Sequence, residues 1–352
     1  MLGLRSLITL LCIAVLSSGC ENNPAPVPPI QKRSWGGTDF SQLPKIEDEE
    51  YIYRNEDSVE VDPISYLAQK GLEVIRLKVW NNSTGDGSLE ELIPLAHRIH
   101  QAGMKVMLTF HYSNTWADPG AQNIPAQWAG LAEGVLLDSV RSFTQRVVQE
   151  LDAEYVQIGN EINHGMMKPF GGRDGSGNFQ KLIEAGIQGA RAGNDSVETL
   201  IHYAGFENAS QFFSTIDSID FDAIGLSYYP RWHGKDLGDL LGACLNLNQQ
   251  FQRPVYLVET SYPFTLGWAD WTNNHIGSAE QILPEYSATP EGQSAYIRAL
   301  RSIADTLGTG LLYWGGELVA YKGPQAQDGS PYENQALFNF NGVALPVVES
   351  LE

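Results

Sequence analysis

Short apolar runs alternate along this chain with longer amphipathic stretches, and this alternation constrains the fold more than any other feature. Such runs are typical of buried parallel strands, and the stretches between them are typical of crossover helices. Eight runs predict strands: Trp35–Phe40, Val74–Trp80, Lys105–His111, Tyr155–Glu161, Thr199–Tyr203, Ala223–Tyr228, Val255–Glu259 and Leu311–Trp314. Helices are predicted over Leu89–Ala102, Leu136–Leu151, Phe179–Ala192, Leu237–Leu247 and Pro290–Leu307.

Eight strands with intervening helices in residues 33–352 predict an α/β fold, a (β/α)8 TIM barrel forming a single domain. A doubly wound open sheet is the alternative. It is disfavoured because the first predicted strand is not followed by a glycine-rich phosphate-binding turn.

Residues 1–20 have the features of a bacterial export signal. Arg5 precedes the apolar run Leu7–Leu16, and the segment ends in small residues before Cys20, as in lipoprotein signals. Residues 21–32 are rich in proline and predict an extended tether. We therefore expect an exported lipoprotein, anchored through Cys20 at the outer membrane or cell surface. An ordinary cleaved signal, and hence a secreted protein, is the alternative.

The composition narrows the classes of function. A net charge of −20 opposes binding to nucleic acid or anionic lipid, so no nucleic-acid partner is expected. Phosphate-binding Gly-Lys-Ser/Thr and zinc-binding His-Glu-x-x-His motifs are both absent from the sequence. Cys244 is alone after the predicted signal, so we expect a buried, unpaired thiol.

Polar and aromatic residues recur where the predicted strands end. In a barrel of this kind, the carboxyl ends of the strands carry the active site. The residues concerned are Arg76 and Trp80, His111, Asn160 and Glu161, Tyr228 and Tyr229, Glu259, and Trp314. The sequence therefore predicts one functional rim.

Two glutamates at this rim predict a retaining glycosidase. Strands four and seven face each other across a barrel mouth, so Glu161 and Glu259 can approach to the roughly 5 Å that double displacement requires. We assign Glu161 as acid/base and Glu259 as nucleophile. Asn160 is expected to bind the sugar 2-OH, and Arg76 with Tyr228 or Tyr229 is expected to keep the nucleophile ionised.

A tryptophan is expected to complete this subsite. Trp314, at the end of the eighth predicted strand, would form its floor by stacking on a sugar face.

The sequence resembles the arabinogalactan endo-β-1,4-galactanases of glycoside hydrolase family 53. Five segments carry the resemblance, in the family's order and over nearly the whole chain after the tether: Ile75–Trp80, Phe110–Gly120, Gln157–Gly165, Ile224–Gly234 and Leu257–Pro263. The resemblance implies a retaining barrel enzyme that cleaves β-1,4-galactan or arabinogalactan internally and requires no cofactor.

The resemblance also implies roles for single residues. It independently makes Glu161 the acid/base and Glu259 the nucleophile, and it places His111 and Trp314 at the central subsite. Trp116 and Asp118 would bind substrate from the rim loop after strand three. The alternative is that these two residues only hold that loop together.

Two segments depart from the family pattern. Gly315-Gly316-Glu317 follows Trp314 where many relatives have an acidic residue and a proline, which leaves the outer subsites and product length open. Glu317 is expected to be a solvated loop carboxylate, with substrate contact as the alternative. Some bacterial relatives bind a structural calcium ion, and the candidate ligands here are Asp270, Asn273 and Asn274.

Three other functions stay open. Another β-glycanase of the same clan, such as a mannanase or xylanase, would keep the mechanism and change the outer subsites. A non-catalytic glycan-binding lipoprotein would use the aromatic rim but would not need both glutamates. A metal-dependent hydrolase would need His111, His164 and His233 to converge, although they lie in different predicted loops.

Overall fold

The computed structural model describes residues 34–352, so the predicted signal and tether lie outside the described residues. Within this range eight parallel strands close into a barrel, in which each strand pairs with its neighbours in the chain and β1 pairs with β8. The strands are β1 (Trp35–Asp39), β2 (Val74–Val79), β3 (Lys105–Phe110), β4 (Tyr155–Ile158), β5 (Glu198–Ala204), β6 (Ala223–Ser227), β7 (Val255–Thr260) and β8 (Gly310–Tyr313). The predicted (β/α)8 barrel is confirmed.

Helices occupy the connections between strands. They are α1 (Leu43–Glu47), α2 (Pro63–Gln69), α3 (Leu89–Gln101), α4 (Glu133–Leu151), α5 (Asn178–Gly193), α6 (Ala209–Ser214), α7 (Pro230–His233), α8 (Leu237–Phe251) and α9 (Pro290–Leu307). Helix α9 has the predicted bounds because Thr289 caps it, accepting a hydrogen bond from the Gly292 N–H. Helix α4 begins three residues before the prediction, since Glu133, Gly134 and the exposed Val135 lie outside the buried apolar pattern.

Several predicted strands end earlier than expected. Strand β4 ends at Ile158, and Gly159 then adopts a positive φ of 83°. Asn160 and Glu161 therefore belong to the loop above the strand. The same holds for Trp80, His111 and Tyr228, which follow strands β2, β3 and β6. These rim residues are thus the first residues beyond the sheet, whereas Arg76 and Glu259 lie within β2 and β7.

The barrel interior has an apolar layer at its amino-terminal end. Trp35 contacts Tyr155 and Tyr256, with ring centroids 5.3 and 5.6 Å apart, and buried aliphatic residues complete the layer. Strand β8 begins with Gly310 because a Cβ at that position would lie 2.4 Å from the indole of Trp35. This layer closes the bottom of the barrel.

Above the apolar layer, the interior becomes polar. Residues two apart on a strand share a face, so Val74, Arg76 and Lys78 of β2 lead from the bottom layer to the rim. Arg76, Thr109, Gln157 and His202 are buried at this upper level. The polar layer supports the site from below.

The larger apolar core lies between the barrel and its helices. Cys244 is buried there on α8 as a free thiol, which confirms its predicted role as a small apolar residue. Of the helices in residues 34–352, none has the length and apolarity needed to cross a membrane.

Candidate active site

Glu259 lies near the end of β7, with both carboxylate oxygens engaged. Its Oε2 is 3.1 Å from Nη1 of Arg76, and its Oε1 accepts a 2.8 Å hydrogen bond from the Tyr229 hydroxyl. Arg76 comes from β2 and Tyr229 from the start of the loop after β6, so two separate elements orient the carboxylate. Cationic and phenolic donors stabilise the ionised form.

Arg76 is buried, with 1% of its surface exposed, and uses its donors on several acceptors. Nε donates to Gln157 at 2.7 Å, Nη1 lies 3.3 Å from Asp39, and Nη2 donates to Asn160 at 2.9 Å. A buried guanidinium is tolerated only when its donors are satisfied in this way. The rigid network fixes the position of the cation beneath Glu259.

Glu161 has different surroundings. Its Oε1 accepts a 2.6 Å hydrogen bond from the Ser227 hydroxyl, and its backbone N–H donates to Nδ1 of His202 at 3.3 Å. Glu161 has a φ of 48°, a left-handed conformation that costs a non-glycine residue energy and is concentrated at functional sites. This conformation turns the carboxyl group from the end of β4 into the cleft.

One carboxylate oxygen of Glu161 lies within 4.8 Å of one of Glu259. Burial raises the pKa of Glu161 to about 8, and the neighbouring Glu259 charge contributes to the increase. Burial also raises the pKa of Glu259, but Arg76 and Tyr229 oppose that effect. The surroundings therefore favour the protonated form at Glu161 and the ionised form at Glu259.

Asn160 is held between the rim loops. Its Nδ2 donates to the Ala117 carbonyl at 2.7 Å, while its Oδ1 accepts from Arg76 and contacts Nδ1 of His202 at 3.1 Å. These contacts define which end of the amide is the oxygen. The side chain lines the cleft beside Glu161.

The cleft above the glutamates has a volume of 810 Å³ and an aromatic wall. Trp116 lies 5.2 Å from Trp80 and 6.1 Å from Trp314, and Trp314 lies 4.2 Å from Tyr332, measured between ring centroids. His111 contacts the same wall and accepts a hydrogen bond at Nδ1 from the Ala117 N–H. Burial lowers the pKa of His111 well below its usual value, so the neutral ring keeps a proton on Nε2.

The family model for "Glycosyl hydrolase family 53" matches residues 35–351 of the chain. The protein belongs to glycosyl hydrolase family 53. It is 32% identical over 327 residues to a sequence from Cellvibrio japonicus described as an arabinogalactan endo-β-1,4-galactanase, a match covering 86% of each chain. An endo-β-1,4-galactanase from Bacillus subtilis is 28% identical, covering 89% of this chain and 84% of the relative.

Solved structures agree with this membership. The family 53 catalytic domain of Ignisphaera aggregans has a TM-score of 0.86 and 31% identity, and the match covers 93% of this chain and 98% of that domain. A fungal β-1,4-galactanase has a TM-score of 0.79 and 25% identity, with 91% and 99% coverage. A family 10 protein from Paenibacillus barcinonensis shares the fold alone, at 16% identity and a TM-score of 0.60.

Tyr228 and Tyr229 are adjacent, and only one of them reaches Glu259 in this family 53 protein. Tyr228 is buried outside the cleft, where its hydroxyl donates to the Gly234 carbonyl at 2.9 Å. The prediction that Tyr228 lies at the site is therefore wrong, whereas its alternative, Tyr229, contacts Glu259. Side chains of consecutive extended residues point to opposite sides, so both could not face the cleft.

Trp116 and Asp118 both line the cleft from the loop after β3. The Asp118 Oδ1 also accepts from the N–H groups of Gly120 and Ala121, at 2.7 and 2.9 Å. Asp118 therefore holds its own loop while being exposed to the cleft. This position is compatible with both roles considered for Asp118, binding substrate and holding the loop together.

Glu317 is buried, with 1% exposure, so the expected solvated loop carboxylate is a wrong prediction. Its Oε1 accepts from the Gln42 N–H at 2.8 Å, and the Gly316 backbone packs against Thr38, Phe40 and Leu337. Burial and the nearby Asp39 raise the pKa of Glu317 well above its usual value. The two glycines let the chain turn inward at this point.

Sequence reasoning missed several cleft residues. Lys78 is buried, pairs with Asp86 at 2.5 Å, and has its ammonium 4.8 Å from the ring centroid of Trp116. Asp39 accepts from Arg76 and from Ser41. The spacing of Arg76 and Lys78 was a usable signal, because residues two apart on a strand face the same side. Tyr332 carried no comparable signal, since it lies in a long irregular loop after β8.

The predicted calcium ligands lie in the loop after β7, which is hydrogen-bonded to the loop after β8. Among the described residues, buried oxygens of Asp270 (Oδ2), Asn274 (Oδ1) and Glu333 (Oε2) have no hydrogen-bond partner. Burial raises the pKa of Glu333, and the Asp270 carboxylate adds to the increase, so the two acids are close. Unpaired carboxylate and amide oxygens fit a hard cation. Asn273 is exposed, and Glu333 was not among the predicted ligands.

The histidines of the metal-hydrolase alternative do not converge. Within residues 34–352, the one group of acidic and histidine side chains compact enough for a metal ion is Glu161, His202 and Glu259. It contains none of His111, His164 and His233.

Proposed function

We propose that this protein is an endo-acting, retaining β-1,4-galactanase, in which Glu161 is the acid/base and Glu259 the nucleophile. The observation that supports this proposal is that the two carboxylates lie within 4.8 Å of each other in different surroundings. Glu259 lies beside the cation of Arg76, and Glu161 lies beside the neutral hydroxyl of Ser227. Retaining enzymes need carboxyl groups about 5 to 5.5 Å apart, whereas inverting enzymes need about 6.5 to 9.5 Å for an intervening water. The galactan substrate is inferred from the family and from the names of the relatives.

The first step breaks the glycosidic bond. Glu259 attacks the anomeric carbon while Glu161 donates its proton to the departing oxygen, which leaves a galactosyl ester on Glu259. Arg76 and Tyr229 keep Glu259 ionised until attack and stabilise the carboxylate again when it departs. Asn160 offers its amide edge beside Glu161, where a sugar 2-OH would bind.

The second step releases the sugar. Glu161, now ionised, removes a proton from water as the water attacks the anomeric carbon. The bond from that carbon to the Glu259 oxygen breaks, Glu259 leaves as a carboxylate, and the β configuration is restored. Trp314 and Trp116 provide ring faces for galactose units, and His111 provides a neutral donor at Nε2. The open cleft allows a polymer to bind along its length.

The test is product analysis on linear β-1,4-galactan, with mannan and xylan in parallel and the anomeric configuration followed by NMR. Short galacto-oligosaccharides that appear first as the β-anomer support the substrate and the mechanism together. Cleavage of mannan or xylan alone would retain the two glutamates and overturn the substrate. Binding of galactan without any cleavage would favour a glycan-binding protein.

We also propose a structural calcium ion held by Asp270, Asn274 and Glu333. The ion would join the loops after β7 and β8, which already share hydrogen bonds from Trp271 to Ala326 and from His275 to Pro331. Calcium should raise the Tm of EDTA-treated protein, and Asp270→Ala should remove this increase. Asn273→Ala, in the same loop but exposed, is the matched control. An equal Tm with and without calcium would contradict the proposal.

We further propose, from the pattern of residues 1–32 alone, that the protein is exported and anchored through an acylated Cys20. The wild-type protein expressed in a bacterium should partition into detergent, and Cys20→Ser should partition into the aqueous phase. An aqueous wild-type protein would indicate an ordinary cleaved signal.

A further inference from the structure

His202 on β5 is fully buried and has no part in the two chemical steps described above. It lies behind Glu161, with contacts at both ring nitrogens. Nε2 is 2.7 Å from the Ser227 hydroxyl oxygen, and Nδ1 is 3.1 Å from Asn160 Oδ1 and 3.3 Å from the backbone nitrogen of Glu161. Burial and the nearby Arg76 lower the pKa of His202 well below its usual value, so the ring is neutral and carries one proton.

The Ser227 hydroxyl has one proton and two neighbours that can accept it. It lies 2.6 Å from Glu161 Oε1 and 2.7 Å from His202 Nε2. When Glu161 is ionised, Ser227 must donate to the carboxylate, so Nε2 must carry the imidazole proton and donate to Ser227. When Glu161 carries its proton on Oε1, the oxygen that contacts Ser227, it donates to Ser227. Ser227 then donates to a bare Nε2, and the imidazole proton lies on Nδ1.

The other ring nitrogen of His202, Nδ1, has a hydrogen-bond partner whether or not it carries the proton. Asn160 Oδ1 is an acceptor, because its Nδ2 donates to Ala117 and Arg76 donates to the oxygen. A protonated Nδ1 therefore donates to Asn160. A bare Nδ1 accepts instead from the Glu161 N–H, which the left-handed backbone at Glu161 turns toward the ring. Each tautomer thus has a hydrogen-bond partner at both nitrogens.

We propose that Ser227 and His202 are positioning residues for Glu161, and that the imidazole changes tautomer when Glu161 gains or loses its proton. The inference deepens the proposed function, since it rests on Glu161 as the acid/base. The ring holds one proton in both states, on Nδ1 in one and on Nε2 in the other. A general acid that later acts as a base needs hydrogen-bonding partners in both protonation states, and this arrangement supplies them.

Other titratable groups also face the pair. Glu161 faces Arg76, Asp118, Tyr229, Glu259 and Tyr332, and His202 faces Arg76, His111 and His233. A variant of Ser227 leaves all of these groups in place. A change in its pH profile therefore reports the hydroxyl itself.

The direct test is NMR on protein labelled with ¹⁵N in its histidines. The His202 signals are assigned by their loss in His202→Gln, and the pH is varied across the titration of Glu161. We expect the protonated nitrogen to change from Nδ1 at low pH to Nε2 at high pH. In Glu161→Gln the tautomer should no longer depend on pH. One tautomer across the whole range in the wild type would overturn the proposal.

The kinetic test uses Ser227→Ala. Loss of a donor to the ionised carboxylate should raise the pKa of Glu161. The basic limb of the pH profile of kcat/KM should therefore shift to higher pH by about one unit. Ser261→Ala removes an equally buried hydroxyl, one that donates to Gln335, and should leave that limb unchanged. A lower kcat in Ser227→Ala with an unmoved limb would indicate a merely structural role and overturn the proposal.

The two tests separate this inference from the proposed function. The NMR titration needs no substrate, so it stands or fails whether or not galactan is cleaved. If the protein cleaves galactan but the His202 tautomer does not change with pH, the proposed function stands and the inference about His202 is wrong.

Discussion

The two sides of the cleft place the same side chain in unlike surroundings. Glu259 lies near the end of a strand, pairs with the buried cation of Arg76 and accepts from Tyr229. Glu161 lies in a left-handed turn beyond its strand and accepts from the neutral hydroxyl of Ser227. A carboxylate beside a cation stays ionised, and one beside neutral donors in a buried site keeps its proton. The difference in partners is the basis for the proposed roles, Glu259 as nucleophile and Glu161 as acid.

The most damaging change to this arrangement is Glu259→Gln. An amide cannot form the ester intermediate, so galactan turnover should fall by about 10⁵-fold. Binding of galacto-oligosaccharides, measured by calorimetry, should persist because the cleft is unaltered. Hydrolysis at a near-normal rate would show that the nucleophile is elsewhere.

Glu161→Ala should produce a smaller loss, of about 10² to 10⁴-fold on galactan, since general acid catalysis contributes about that much. The variant should cleave aryl galactosides with an acidic leaving group at nearly the wild-type rate in the first step, because that leaving group needs no proton. Added azide should restore turnover and yield the β-galactosyl azide, detectable by NMR. An α-configured product would contradict double displacement.

The paired variants Tyr229→Phe and Tyr228→Phe test the nucleophile side directly. Tyr229→Phe removes a donor to a charged group and should lower kcat/KM by about 10 to 100-fold. Tyr228→Phe removes a bond to the Gly234 carbonyl and should change kcat/KM by less than about threefold. Equal losses in the two variants, at matched Tm, would contradict the geometry described for the site.

The smallest expected effect is on stability. The pKa of Glu161 is raised from its ordinary 4.5 to about 8 in the fold, so its contribution to stability is complete below about pH 4.5 and is lost as the pH rises toward 8. Glu161→Gln carries no such charge, so its Tm should exceed that of the wild type by about 3 °C at pH 8. The gain should shrink at pH 5. Calorimetry at the two pH values checks this, and an equal difference at both would contradict the assigned cause.

Much of the fold and of the site was predictable from local pattern. The eight apolar runs located the eight strands, because strand burial on both faces produces a continuous apolar signal. Glu161 and Glu259 were identifiable because a polar residue directly after such a run is placed at the barrel rim. The bounds of helix α9 were predicted correctly because its capping residues hydrogen-bond to groups within one turn of the helix end.

Other features depended on contacts between distant segments. Glu317 follows a strand end as Glu161 does, yet it is buried against Gln42, some 275 residues earlier in the chain. The buried Lys78 pairs with the partly buried Asp86 beside the aromatic wall, and neither residue type alone indicates such a location. Loop paths of this kind depend on which segments pack together.

By itself, the sequence determined the barrel, the strands that carry the two glutamates and the family to which the chain belongs. Only the tertiary structure decided that Tyr229 rather than Tyr228 reaches Glu259, that Arg76 connects five polar neighbours, and that Ser227 and His202 lie against Glu161. The physical reason is that periodicity follows the backbone within one strand. The donors and acceptors around a buried charge come from several strands, and closing the barrel is what brings them together.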